Sequence, residues 1–318
     1  MLAMEHNISI GNYRLGIVDS ITIKRSVETL TDTALIVLPC AYANKTLEVE
    51  SKLKEGDEVT IELGYNNDLQ TEFKGYLKTI QTDDGSITLE CEDAIWLFRK
   101  ELKNKEHKNI TAKSLLQKVV QEIDSSFNVS CDYDFTYEKF VIKDATAYDV
   151  LKKLQDETKA NIYFTGNTLH CHPQYSEITN AEPVRYDFSV NVEKSNLKYK
   201  SDKDRKFFIE VEGIPSSGKR VTVTYGTMGG DKRSLKVYGV TDKDSLLKRA
   251  KEELTTLVYT GFEGNFTGWL IPYCEPAYKI ELRDQDYPDK NGTYYVVATE
   301  VKFSSSGGER TVTIGKKI

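Results

Sequence analysis

Only four histidines, seven prolines and five cysteines occur in the 318 residues, and each scarcity removes a class of protein. The cysteines, at positions 40, 91, 131, 171 and 274, are odd in number, scattered and never spaced as CxxC. That pattern excludes a disulfide framework and predicts reduced, mostly packed thiols. A basic surplus is missing too: the net charge is −6, whereas broad nucleic-acid binding needs a basic face that displaces counterions from phosphates. The most basic stretch, Lys198–Lys206, is interleaved with Asp202 and Asp204 and reads as a solvated linker or hairpin. No apolar run exceeds Ala34–Leu38, far short of the ~20 residues of a membrane-crossing helix. The opening MLAMEHNISIGNY has no basic region followed by a long apolar stretch, so folding in a cytoplasm is expected.

What is present is a globular composition, 39% hydrophobic and 29% charged, in a chain long enough to bury a core without metal or disulfide staples. Cofactors are therefore not needed for folding. From Asn7 to about Glu92 the apolar residues alternate. Val59, Ile61, Leu63 and Tyr65 share one face of a strand, and Ile87, Leu89 and Cys91 share a face of another. Asp83-Asp84-Gly85 marks a tight turn between successive hairpins.

After Trp96 the period changes. Beyond a charged link, Lys100–Lys108, the residues Ala112, Leu115, Leu116, Val119, Val120 and Ile123 repeat at helical spacing. A second helix follows from Thr146 to Glu157, with Thr146 and Asp149 forming a capping-box pattern. Thr111/Thr146, Ala112/Ala147, Leu116/Leu151, Lys118/Lys153 and Glu122/Glu157 coincide at a spacing of 35. A helical solenoid is disfavoured, because strand-like runs at Asn128–Cys131, Phe140–Ile142 and Asn161–Thr165 separate the helices. From Val184 alternation returns, in Phe207/Ile209/Val211, Val221/Val223/Tyr225, Tyr295/Val297/Val301/Phe303 and Val312/Ile314. One helix, 241–258, interrupts it behind the capping-type run Thr241–Asp244. The expected organisation is mainly β with an α+β insert: β, then α/β, then β with one inserted helix, the short strands of the first part suggesting a barrel or sandwich.

Motifs that could carry chemistry fail on context. Gly213–Lys219 has the spacing of a phosphate-binding loop, but Arg220 replaces the required Ser or Thr, and a strand rather than a helix follows. A Gly/Ser hairpin loop is expected there. No G-x-S-x-G elbow exists for a nucleophile, and His6 and His107 lie near a terminus and in the charged link. The acidic pairs Asp83/Asp84, Glu90/Glu92 and Asp202/Asp204 fall in turns or on polar strand faces and read as solvated. His170 and His172 sit on the outgoing strand of a hairpin with a Gly166-Asn167 turn, stopped by Pro173. They share one face, with Leu169 and Cys171 on the other. Two zinc ligands are thus at hand, but no third is designated, so no catalytic, cofactor or metal residues are assigned, and metal binding by this pair stays an open question.

The order of segments carries a resemblance. Ser20–Pro39 looks like an opening strand pair; Glu55-Gly-Asp-Glu-Val-Thr-Ile-Glu-Leu-Gly-Tyr65, Phe73-Lys-Gly-Tyr-Leu77 and Leu89-Glu-Cys-Glu-Asp93 follow, then Asp144–Leu154, Ile162-Tyr-Phe and Leu169. Together they resemble the hub proteins of phage tail baseplates, of the late-control D and Mu-like tail protein type, and more distantly the N-terminal region of VgrG. The resemblance implies two tube-like antiparallel β-barrel domains, 1–100 and 181–318, flanking a small α/β domain, 101–180, with the inserted helix 241–258 in the second barrel; it also implies a homotrimeric ring joining a tail tube to a spike, tail tube, spike and baseplate proteins as partners, and a place in a virion tail, assembled in the host cytoplasm and possible also for a prophage. It implies no enzymatic activity, and the end at Ile318 implies no appended lytic or spike domain. The rival readings are a tail-associated cell-wall or polysaccharide hydrolase and a glycan-binding adhesin. The latter draws on 19 tyrosines and two tryptophans, although most of those tyrosines suit packed strand positions.

Overall fold

The alternation in the sequence becomes buried strand faces. In the computed structural model, Val59, Ile61 and Leu63 of the strand Glu58–Tyr65 are buried, as are Ile87, Leu89 and Cys91 of Ser86–Glu92. The structure describes residues 3–318 except 43–44, 47–48, 50, 84, 202–204 and 216–217. Among the described residues no helix is long and apolar enough to cross a membrane. The chain divides into two compact units. One comprises Met1–Trp96, Ile178–Lys198 and Phe262–Ile318; the other comprises Leu97–Glu177 and Tyr199–Gly261.

The first unit is built on a largely antiparallel 13-stranded sheet. Its main path runs from Lys194–Lys200 through Gly261–Trp269, Gly307–Lys317 and Gly292–Ser304 to Ser20–Ser26, and on through Thr33–Pro39, Ser86–Glu92, Asp68–Asp83, Glu58–Tyr65 and Met4–Ile10 to Tyr13–Leu15. The two closed barrels that the resemblance implies are not seen among the described strands; Gly292–Ser304 pairs with Ser20–Ser26 and joins both strand sets into one open path. Two apolar cores nevertheless form. One gathers Ile8, Ile36, Ile61, Leu77 and Leu89; the other gathers Tyr186, Phe266, Ile280, Leu282 and Val312. The strand Gly292–Ser304 serves both, giving Tyr294 and Val296 to the second and Val301 and Phe303 to the first. Register shifts at Tyr294/Val296 and Val296/Ala298 bend it between the two sets.

The long strand Asp68–Asp83 is bulged twice. Its register jumps from Phe73 to Thr71 against one neighbour and from Leu77 to Thr79 against the other, leaving Glu72 and Lys78 as the extra residues. Each is re-aimed into an ion pair: Glu72 with Arg310 and Lys78 with Glu92 at 2.8 Å. Glu92, expected to be solvated, is instead buried beside Lys78. Gly75 stands where a Cβ would lie 2.1 Å from the Glu92 carbonyl oxygen, so this crossing admits only glycine.

In the second unit the helical spacings hold. Helix α1 is Ala112–Ile123, with Thr111 as N-cap, and helix α2 is Ala147–Thr158, with a complete capping box between Thr146 and Asp149. Their apolar faces, including Leu115, Leu116, Val119, Leu151 and Leu154, are buried. Lys105–Thr111 pairs with Thr136–Ile142, and Asn128–Cys131, Thr168–His172 and Asn161–Thr165 form a three-stranded sheet. His107 is therefore in a strand and buried, not in a charged link. Residues 199–261 group with this unit rather than with the C-terminal strands. They add a sheet of Val221–Gly226, Phe207–Ile214 and Asp231–Tyr238, and helix α3, Lys243–Leu257. Hydrogen bonds explain the grouping: Glu138 N–H donates to the Gly239 carbonyl at 2.8 Å, and Thr136 N–H donates to Ser245 Oγ at 3.0 Å. Helix α3 is capped one residue later than the sequence pattern suggests, because Asp242, not Thr241, accepts from Ser245 N–H. The Thr241 hydroxyl is engaged elsewhere, donating to Glu138.

Candidate functional site

A short turn brings a carboxylate back onto two histidines. Asn161–Thr165 and Thr168–His172 form the expected hairpin, with Gly166 at φ 54° in its turn. His170 and His172 are two residues apart on one strand, so they share a face, and their ring centroids lie 5.7 Å apart. Pro173 ends the strand. Its carbonyl accepts from the Ser176 backbone at 3.3 Å and the Ser176 hydroxyl at 2.8 Å, and this turn carries Glu177 back over the rings.

Glu177 is the centre of the cluster. His170 Nδ1 lies 2.9 and 3.0 Å from its two carboxylate oxygens, His172 Nε2 is 2.9 Å from Oε2, and Tyr163 donates its hydroxyl to Oε2 at 2.7 Å. Tyr163 also stacks on His170, with centroids 4.9 Å apart and planes 9° from parallel. On its far side His172 presents Nδ1 to Asp132 Oδ1 at 2.6 Å, and Ser130 Oγ is 3.3 Å from its Nε2. Burial works against ionising Glu177, but the hydrogen bonds from His170, His172 and Tyr163 outweigh it and hold the carboxyl well below the usual range. For His172, burial lowers the pKa, while Glu177 and Asp132 on opposite sides of the ring raise it more. Among the described residues His170, His172 and Glu177 form the one group of three metal-type side chains, their donor atoms all within 4.8 Å of one another. Two imidazoles and a carboxylate can hold a proton between them or a borderline divalent metal.

The opposite face of the strand is occupied by sulfur. Cys171 is the register partner of Cys131 on the parallel strand Asn128–Cys131, and both are free thiols. A hydrogen bond from Cys171 lowers Cys131 to about 7, and the same bond, with burial, pushes Cys171 well above its ordinary value.

Other sequence candidates are dispersed. Gly213 pairs with Val221 in an antiparallel hairpin, so the phosphate-loop spacing has no helix behind it, and Arg220 pairs with Glu212 at 3.1 Å. Ser216 and Ser217 of that loop lie outside the described residues, as do Asp84, Asp202 and Asp204 of the acidic pairs. Glu90 accepts from Thr79 at 3.1 Å. His6 sits edge-on to Phe303, centroids 5.7 Å apart. The residues missed by sequence reasoning are Glu177, Asp132 and Tyr163, which meet the histidines only through the turn after Pro173 and the pairing of three strands. The one local signal was Pro173 with Ser176, a turn pattern immediately before a glutamate.

This arrangement of elements recurs in solved structures. The 43 kDa tail protein of prophage MuSo2 from Shewanella oneidensis superposes with a TM-score of 0.69 at 15% identity, 98% of each chain being covered. A tail protein of Neisseria meningitidis MC58 gives 0.68 at 14%, covering 98% of this chain and 96% of that one. The E. coli c3393 protein, a type VI secretion component described as similar to the T4 tail proteins gp27 and gp5, gives 0.64 at 11%, covering 98% and 79%. The chain thus has the fold of phage-tail and VgrG-type proteins, the group its segments resemble. The sequence profile of the Alg8 N-terminal domain matches residues 13–191, and the chain belongs to that family. No curated protein sequence matches it significantly.

Proposed function

We propose that this protein is a structural, non-enzymatic hub component of a phage-type tail or baseplate, three copies of which form a ring joining the tail tube to the spike. One observation carries the reading: the fold agrees with that of a prophage tail protein along 98% of both chains. The two separate cores of the first unit support two barrel-like halves. Segments 1–100 and 181–318 supply all the strands of the large sheet, and 101–180 supplies none, which favours reading it as an insert in the chain between them. A ring of three identical chains is a closed cyclic oligomer, in which one pair of complementary surfaces repeats at every joint. Its partners on this reading are the tube, the spike and other baseplate proteins, and its location is the virion tail, with a prophage as a further source of the gene.

Light scattering of the purified chain tests the proposal. A mass three times that of the chain, with ring-shaped particles in negative stain, is the expected result. A strict monomer at the highest soluble concentration, which stays monomeric when mixed with the cognate tube and spike proteins, refutes it. Incubation with purified cell wall tests the rival hydrolase, for which released sugar or peptide fragments are the positive signal.

A further inference from the structure

We propose that His170, His172 and Glu177 form a binding site for one divalent transition-metal ion of the zinc type, independent of the hub reading. The donor set is two imidazole nitrogens and one carboxylate, a combination that suits zinc and leaves a fourth position for water. The three donors come from a rigid hairpin strand and from the turn that follows it, so the site is assembled by the fold rather than by one flexible segment. Zinc takes nitrogen and oxygen ligands at about 2.0–2.2 Å, which places two donors of one tetrahedral site about 3.4 Å apart. The nitrogen-to-carboxylate separations of 2.9 Å fall about half an ångström short of that spacing, and all three donor atoms lie within 4.8 Å of one another.

The surroundings argue for a metal more than for an ordinary ion pair. Asp132 sits 2.6 Å behind His172 Nδ1. That is the carboxylate–histidine arrangement that fixes a ring's orientation and turns its other nitrogen toward a metal. Tyr163 does the same for the remaining members, stacking on the His170 ring and holding one oxygen of Glu177. Both histidines are buried, at 9% and 6% exposure, so their placement is not a surface accident. Two carboxylates face two imidazoles, and a divalent ion held by neutral rings leaves the cluster with no net charge. Ser130 Oγ, 3.3 Å from His172 Nε2, is placed to hydrogen-bond a water in the fourth position. Such an ion pins the 173–177 turn to the sheet and stabilises the second unit by mass action.

The test uses the full chain, freed of any affinity tag and stripped with chelator. Titration with zinc chloride in a calorimeter is expected to show one saturable equivalent per chain with submicromolar affinity, and the thermal transition should rise when zinc is added. Cobalt(II) in place of zinc should give the intense visible bands of a four-coordinate nitrogen–oxygen site. Glu177→Gln and His170→Asn should each weaken binding at least tenfold, and Asp132→Asn by ten- to a hundredfold through its effect on His172. The absence of a saturable equivalent in the unaltered chain overturns the proposal, with no need for any variant to fold. So does binding left unchanged in Glu177→Gln or His170→Asn, which assigns the metal to other residues.

Discussion

Replacing Arg310 by methionine isolates the most buried charge in the first unit. Arg310 and Glu72 are 1% and 2% exposed, and all five guanidinium N–H groups have an acceptor. Nη1 donates to Glu72 Oε2 at 3.1 Å and to the Cys274 carbonyl at 2.9 Å. Nη2 donates to Glu72 Oε1 at 2.6 Å and to the Leu270 carbonyl at 3.1 Å, which also receives Nε at 3.3 Å. Methionine fills much of the volume but leaves the carboxylate and two carbonyls without donors. Stripping one partner from a buried pair costs about 3–5 kcal/mol, because the remaining charge cannot reach water. At roughly 2–4 °C per kcal/mol for a unit of this size, the first unit should melt about 6–20 °C lower. Scanning calorimetry is the assay, since two units make a single two-state fit unsafe. Adding Glu72→Met should restore much of the loss, as apolar replacement of a whole buried pair is often neutral. The double variant should still fall short of the wild type, with the Leu270 and Cys274 carbonyls unpaired. A loss below about 1 kcal/mol for Arg310→Met, or a double variant no better than the single one, refutes the reasoning.

Burial, and then the nearby Asp32, push Asp93 well above the ordinary carboxyl range, and its Oδ2 has no hydrogen-bond partner. A raised carboxyl stabilises the fold fully below its unfolded pKa and loses that contribution as pH rises through the native value; Asp93→Asn should therefore raise the unfolding free energy from urea titration at neutral pH by on the order of 1–3 kcal/mol and flatten the profile from pH ~4 upward. Thr146→Ala removes the reciprocal cap of α2 and should lower the second unit's stability by about 1 kcal/mol, read from chemical denaturation followed by circular dichroism. Iodoacetamide should label Cys131 with a midpoint near pH 7 and leave Cys171 unlabelled in the native protein, as peptide mass spectrometry would show; equal labelling contradicts the geometry.

Local periodicity was legible and non-local pairing was not. The apolar spacing from Ala112 to Ile123 and the Thr146/Asp149 pair foretold α1 and α2, and Gly166-Asn167 with Pro173 foretold the hairpin, because each is decided within a few residues. The pairing of Gly292–Ser304 with Ser20–Ser26 joins segments more than 260 residues apart, and nothing in either segment names its partner. The same limit hid Glu177. Its sequence neighbours gave it no role until the turn at Pro173 and Ser176 laid it across His170 and His172. Glu92 and His107 were misplaced for a related reason, since burial of a polar side chain depends on a partner such as Lys78 or on a strand pairing that local polarity does not report.

The chain passes between its two units after residues 96, 177, 198 and 261, and this sets the order in which the protein can be completed during synthesis. The N-terminal strands emerge from the ribosome first, yet Ser20–Ser26 has its second neighbour only when Gly292–Ser304 appears. Arg310 reaches Glu72 later still. Until residues 292–310 are made, the nascent chain therefore presents an open strand edge and a buried-type carboxylate awaiting its counter-ion, a state prone to pair with other chains. Growth of the chain end to end does not give growth of the fold end to end, and residues 292–310 act as the clasp for strands made more than 260 residues earlier.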